Sequence, residues 1–273
     1  MTPEEAFVRI HAGLDREGPG SPESTLRALR LTGLASSGTA DSARSGPDPQ
    51  MPGPGHDRAS GGLSVLDLGC GPGAQTITLA EALPDAHIVA VDLHPPFIEE
   101  VERRAAAAGV ADRVTAVVGD MTEPQAVAPA PVDLVWSEAA AYSIGFDVAL
   151  RAWREVLRPG GVLAVSEAVW AAPTVPQVVS DFWTSEYPDM QPVQRRRAQA
   201  LQAGYRRIGD FSLPPSDWEA YYSPLRDRVA ELADPGDPGM SEAVAAHERE
   251  FAVYDAGGPS AVGYQFFVLR RSD

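Results

Sequence analysis

An acid at the end of an apolar run is followed by three glycines at alternate positions in Val65-Leu66-Asp67-Leu68-Gly69-Cys70-Gly71-Pro72-Gly73-Ala74-Gln75. Glycine at 69, 71 and 73 lets a strand turn sharply into a helix and lets a ligand approach backbone where a Cβ would intrude. The helix beginning near Ala74 aims free N–H groups at an anion. Taken alone, Gly69-x-Gly71-x-x-Ala74 also fits the dinucleotide fingerprint. Three acids redirect the reading. Asp67 stands two residues before the first glycine, where a carboxylate suits a cationic ammonium better than a pyrophosphate. Asp92 closes the run HIVAVD, where its two oxygens can accept both hydroxyls of a ribose, and Asp120 closes VTAVVGDM, where it can accept from the exocyclic amine of adenine. A ligand with ammonium, carboxylate, ribose and adenine satisfies the whole set.

Periodicity predicts the elements that hold these acids. The runs LSVLDL, HIVAV, VTAVV, VDLVW and GVLAV alternate with helical patterns in GAQTITLAEAL, PFIEEVERRAAAAG and DVALRAWREVL. Such alternation implies βαβ units and a parallel sheet, with all three acids at the carboxyl edge where open α/β sheets bind ligands. Tyr205 to Leu213 and YQFFVL read as two more strands, separated by a long, aromatic, mostly helical segment. At the other end, Thr2-Pro3-Glu4-Glu5 is a capping box with proline at the first helical position. Gly18-Pro19-Gly20 breaks that helix, Ser21-Pro22 restarts a second, and residues 1–34 form an N-terminal helical lid that closes over the ligand. From 35 to 61 the composition turns to Gly, Pro, Ser and Asp without periodicity, which reads as a flexible low-complexity insertion.

Composition removes whole classes. The net charge of −16 over 273 residues should repel a phosphate backbone, so no nucleic-acid partner is expected. There is no lysine, so Schiff-base and pyridoxal chemistry is excluded, and no asparagine. A single cysteine, Cys70, forbids an intramolecular disulfide and any Cys-pair metal site, and fits a reducing, cytoplasmic location. No apolar run is long enough to span a membrane and the first residues lack a signal-peptide pattern, so neither membrane association nor export is expected. The oligomeric state is left open.

With these motifs in place, the chain resembles the class I S-adenosylmethionine-dependent methyltransferases, in the small-molecule branch near the quinone-biosynthesis enzymes. DLGCGPG is similar to their first motif, Asp92 to their ribose acid and Gly119-Asp120-Met121 to their adenine-side motif, while VDLVWSEAAAYSIGF and LRPGGVLAVSE resemble the later strand signatures. The likeness runs from Gly18 to the C-terminus, interrupted at 35–61. It implies a Rossmann-like, doubly wound α/β fold with a seven-stranded sheet whose last strand is antiparallel, within a domain over 62–273 that carries a substrate cover near 171–260. It also implies S-adenosyl-L-methionine as cofactor, contacted by Asp67, Gly69, Gly71, Gly73, Gln75, Asp92, Leu93, Asp120, Met121 and Ser137, and no metal. Ser143 stands where near relatives are expected to carry asparagine.

Methyl transfer from a sulfonium asks the protein chiefly to align acceptor, methyl and sulfur and to exclude water, with a base helping where the acceptor carries a proton. Glu138, Tyr142 and Glu167 are the catalytic candidates, with His94 a wall of the cofactor pocket. Glu138 leads, because Glu138 and Asp147 lie nine positions apart across a loop, similar to the paired acids that hold a cationic side chain in protein arginine methyltransferases. The expected acceptor is therefore a small-molecule amine; the plainer reading of Asp147 is that it simply starts the next helix, where its charge is favourable to the dipole. Glu167 is either a base or an acid orienting residues 168–176. O- or C-methylation of a small metabolite stays open. So do two other classes: a nicotinamide-dependent oxidoreductase, which Asp67 and Asp120 oppose, and a non-catalytic cofactor-binding protein.

Overall fold

The computed structural model describes residues 1–34, 62–128 and 131–273. The expected insertion at 35–61 lies outside them. Eight strands form one sheet: β1 Ser64–Leu68, β2 His87–Asp92, β3 Val114–Val118, β4 Val132–Ser137, β5 Leu157–Trp170, β6 Gln191–Pro192, β7 Tyr205–Ser212 and β8 Val262–Arg271. Their order is β3-β2-β1-β4-β5-β8-β7, with β6 paired to the end of β5. Strands β1 to β5 run parallel, and β8 inserts antiparallel between β5 and β7. The one departure from a seven-stranded sheet is β6, where Gln191 and Pro192 extend far enough to pair with Val169 and Trp170. Two residues carry no alternating pattern from which a strand could be read.

Ten helices accompany the sheet among the described residues: α1 Pro3–His11, α2 Pro22–Thr32, α3 Ala74–Ala82, α4 Pro95–Ala107, α5 Phe146–Val156, α6 Gln177–Glu186, α7 Val193–Gln202, α8 Pro215–Leu232, α9 Pro238–Asp255 and α10 Gly258–Ala261. The capping box of α1 forms as the sequence predicts: Glu5 N–H donates to Thr2 Oγ1, and Thr2 N–H to the Glu5 carboxylate. The pleat divides the core between the two faces. Val65, Leu134 and Val162 pack with Leu79 and Ala80 of α3 and with Leu29 of α2. Leu66, Val135 and Leu163 pack with Leu150 and Trp153 of α5 on the other side. Because successive side chains alternate, Asp67 falls on the face of Val65, toward α3 and away from α5.

Chain order reverses at β1, whose neighbours are β2 on one side and β4 on the other. A crevice opens at such a switch point, outside the carboxyl ends of the strands. Helix α1 packs on α8 and α9, so the N-terminal segment and the long aromatic segment before β8 meet above that crevice.

Candidate active site

The turn after β1 is built on three left-handed glycines, Gly69 at φ +67°, Gly71 at +51° and Gly73 at +89°. A Cβ on Gly69 would lie 2.5 Å from the Ala140 Cβ, and one on Gly73 2.8 Å from Val101 Cγ2. The glycines therefore let the loop after β4 and helix α4 close on the turn. That loop is itself strained: Ala139 has φ +52°, the one non-glycine with positive φ among the described residues. Its N–H donates to Ser166 Oγ at 2.8 Å, and its Cβ sits where only a glycine, Gly18, can pass. Strain of this kind gathers at ligand sites.

Around this junction lies a cavity of about 480 Å³, the size that holds small ligands. Its floor comprises Gly69, Cys70, Gly71, Gln75, Asp92, Leu93, Gly119 and Met121. Asp92 Oδ2 accepts from Gly71 N–H at 2.9 Å, which ties the end of β2 to the glycine turn, and Oδ1 accepts from His94 N–H at 3.0 Å. Gln75 Nε2 donates to Cys70 C=O at 2.9 Å and holds the turn from inside. Met121 is fixed through its carbonyl by Trp153 Nε1 at 2.8 Å. Cys70 packs with Ala90, Ile98 and Val101, and burial pushes its thiol up, which leaves it an inert wall.

Four of the expected cofactor residues, Asp67, Gly73, Asp120 and Ser137, stand apart from the cavity wall. Asp67 is fully buried and accepts from Thr76 Oγ1 at 2.6 Å and Gln75 Nε2 at 3.5 Å. Burial pushes its carboxyl up to about 7. Asp120 is exposed and caps its own turn, accepting from Thr122 N–H at 2.7 Å, which draws its carboxyl down; its neighbours Gly119 and Met121 face the cavity instead. Ser137 is fully buried and its Oγ has no partner.

The catalytic candidates are placed differently from one another. Glu138 lines the cavity with both oxygens engaged. Oε1 accepts from Trp136 Nε1 at 2.9 Å and Thr25 Oγ1 at 2.7 Å, and Oε2 from Arg16 Nη1 at 2.7 Å. Tyr142 also lines the cavity, its ring 5.9 Å from that of Tyr187 and its hydroxyl pushed up by burial. Glu167 lies outside the cavity wall, fully buried and 2.9 Å from Arg196 Nη2, with Tyr187 OH donating to it at 2.5 Å. Burial pushes the Glu167 carboxyl up against the pull of that guanidinium. Asp147 occupies the first turn of α5, away from the cavity wall. Ser143 lines the cavity, and its hydroxyl donates to Ala140 C=O at 2.9 Å.

Above the floor, the cavity is closed by residues the motifs did not single out: Phe7, His11, Arg16 and Glu17 from the N-terminal segment, Glu186 from α6, and His247 and Glu250 from α9. Glu17 lies on the glycine turn, its Cγ 3.5 Å from where a Cβ of Gly71 would be. A short signal marks this segment, since Asp15-Arg16-Glu17 immediately precedes Gly18-Pro19-Gly20. Its partners at Glu138 and His247 are too distant in sequence to be read from one chain.

Residues 65–161, from the start of β1 into β5, match the family model of the methyltransferase domain. Relatives include a malonyl-[acyl-carrier protein] O-methyltransferase of Dechloromonas aromatica, 38% identical over 102 residues, which are 37% of this chain and 35% of that protein. A trans-aconitate 2-methyltransferase of Rhodococcus jostii is 39% identical over 167 residues, 58% of this chain and 61% of the relative. The chain thus spans from about a third to about three fifths of the curated relatives it matches. In fold, it is similar to the crystal structure of an S-adenosylmethionine-dependent methyltransferase of Thiobacillus denitrificans in complex with S-adenosyl-L-homocysteine. That likeness has a TM-score of 0.75 at 21% identity, covering 98% of this chain and 99% of the other.

The residues around the cavity floor fit an adenosyl sulfonium cofactor. Asp92 brings two carboxylate oxygens to the floor beside an apolar slot of Leu93, Phe97 and Met121. The glycine turn forms a cradle that a Cβ on Gly69 would fill, 2.5 Å from the Ala140 Cβ and 3.4 Å from the Met121 sulfur. No cluster of metal-binding side chains occurs among the described residues. No described helix is long and apolar enough to cross a membrane.

Proposed function

We propose that the protein transfers a methyl group from S-adenosylmethionine to a small-molecule amine. Bound at the floor, the cofactor supplies an activated methyl group on a sulfonium; the chain's own residues bind, orient and exclude water. Asp92 accepts hydroxyls while its backbone contacts hold the glycine turn, Gly119 and Met121 flank the ring slot, and Glu138 with Arg16 clamps the N-terminal segment over the cavity. Asp67 supports the turn from behind through Thr76. Both oxygens of Glu138 are satisfied by protein donors, so we assign it to positioning.

The observation that carries the amine reading is the charge of the cavity wall. Among the described residues, Glu17, Asp92, Glu138, Glu186 and Glu250 line it against a single arginine, Arg16, which is committed to Glu138. Tyr142, Tyr221 and Phe7 add aromatic faces suited to a cation. A carboxylate acceptor would meet repulsion there and no free guanidinium to pair with. The named acceptor of the Rhodococcus relative is such a carboxylate, so the two readings separate cleanly.

The test is methyl transfer to matched amines, alcohols and carboxylates, preceded by calorimetric titration with S-adenosylhomocysteine on the protein and on Asp92→Ala. Amines should be methylated, and Glu250→Gln should raise their KM roughly tenfold, the worth of one charge-assisted contact. Turnover of carboxylates with amines inert would sink the amine reading.

A further inference from the structure

A chain of hydrogen bonds runs from the cavity into the cover through three side chains from two distant parts of the sequence. His247 Nδ1 lies 2.7 Å from the Ala243 carbonyl oxygen, which can only accept, so that nitrogen carries a proton. In a neutral His247 ring, Nε2 is then an acceptor, and it lies 3.0 Å from His11 Nε2. His11 Nε2 must therefore be the donor. What remains is His11 Nδ1, which touches Glu17 Oε2. Two lone pairs facing each other would repel, so one proton sits between them. The far oxygen of the same carboxylate, Glu17 Oε1, is buried and has no partner among the described residues.

We infer that Glu17, braced by His11 and His247, is the group that takes the proton an ammonium acceptor must lose before it can be methylated. The inference rests on the amine reading above. An ammonium has no lone pair; its N–H bond must break, the proton going to Glu17 Oε1 and the electron pair staying on nitrogen. That pair then forms the new N–C bond as the C–S bond of the sulfonium donor breaks and its electrons return to sulfur. Glu17 lines the cavity against the glycine turn, where both ligands must meet. His11 holds the shared proton on Nδ1 and donates it to Oε2, so Glu17 starts as a carboxylate anion and the incoming proton settles on Oε1 to leave a neutral carboxylic acid. Burial also pushes the Glu17 carboxyl up, in the direction that favours proton uptake. The charged and titratable groups facing the chain are Asp92 and His94 from the end of β2, Glu250 from α9, and Arg16 paired to Glu138. Glu138, the leading candidate base on sequence, is left as the clamp.

Glu17→Gln tests this, because glutamine keeps the shape and an acceptor oxygen but takes no proton. At saturating cofactor and neutral pH, kcat for an amine found by the panel should fall about a hundredfold, the usual worth of a positioned base. The loss should shrink about tenfold per pH unit as solvent deprotonates the amine. Nitrogen-15 histidine spectra give a readout apart from turnover: His247 should carry its proton on Nδ1, and the proton shared by His11 Nδ1 and Glu17 should vanish from the ring in Glu17→Gln. A variant as fast as the parent, or one slowed equally at every pH, overturns the inference while leaving the amine reading intact. A parent that methylates no amine overturns both.

Discussion

The clamp between Arg16 and Glu138 offers the sharpest energetic test. Their side chains are 11% and 4% exposed, and the pair joins residue 16 to the loop after β4 at 2.7 Å. Arg16→Met keeps an unbranched apolar stem but withdraws the donor from Glu138 Oε2, leaving a buried carboxylate on Trp136 and Thr25 alone. Breaking a buried pair from one side costs about 3–5 kcal/mol, and the two remaining donors favour the lower end, ~3 kcal/mol. Glu138→Gln keeps the acceptor used by Trp136 and Thr25 and leaves Arg16 partly able to reach water, so ~1–2 kcal/mol is expected. With both changes no orphaned charge remains, and the double variant should lie within ~1–2 kcal/mol of the parent, well short of the sum of the single losses. Urea unfolding of the four proteins measures all three values in one series. An Arg16→Met protein within about 0.5 kcal/mol of the parent, or additive losses, would refute the claim that the pair holds the N-terminal segment in place.

Two further perturbations address the floor. Gly69→Ala forces an L residue to φ +67° and drives a Cβ to 2.5 Å from Ala140; the backbone term alone costs ~1–2 kcal/mol, so S-adenosylhomocysteine affinity by calorimetry should fall at least about tenfold. Wild-type affinity in that variant would mean the turn does not shape the cofactor floor. Asp67 has a folded-state pKa raised from 3.8 to about 7 by burial. The native state therefore keeps a proton that the unfolded chain has lost, and stability falls as pH rises from about 4 to about 7, by up to ~4 kcal/mol from this group. Asp67→Asn should flatten that decline in urea midpoints measured at pH 5 and pH 8. An unchanged slope would assign the pH dependence to other buried acids such as Glu167.

The sheet was legible because its strands are apolar runs of the right length, separated by helices with ordinary stop signals. The turn after β1 was legible for a stricter reason: Gly69, Gly71 and Gly73 all adopt positive φ, a demand that glycine alone meets cheaply. Side-chain direction was harder to read. Asp67, Asp92 and Asp120 share the carboxyl edge of the sheet, yet only Asp92 faces the cavity. Pleat parity turns Asp67 toward Thr76 on α3, and a local turn at Thr122 claims Asp120. Spacing also suggested Glu138 and Asp147 as a pair. One is instead neutralised by Arg16, and the other begins α5, where its negative charge complements the positive end of the helix dipole.

What no single sequence could disclose is the set of contacts separated by more than a hundred positions. Arg16 reaches Glu138 across 122 residues, and His11 reaches His247 across 236. Each is a lone residue of a common type with no local pattern to mark it. Together they explain why the N-terminal helix is built as it is. Helix α1 buries Ala6 and Ile10 beneath the cover, and its last residue, His11, ties the cover to Glu17. The next turn of chain delivers Arg16 to the β4 loop. The same dozen residues thus touch the glycine turn, the loop after β4 and the cover. Its two charged pairs, His11 with Glu17 and Arg16 with Glu138, both line the cavity, so the segment brings its charges to the candidate site already partnered.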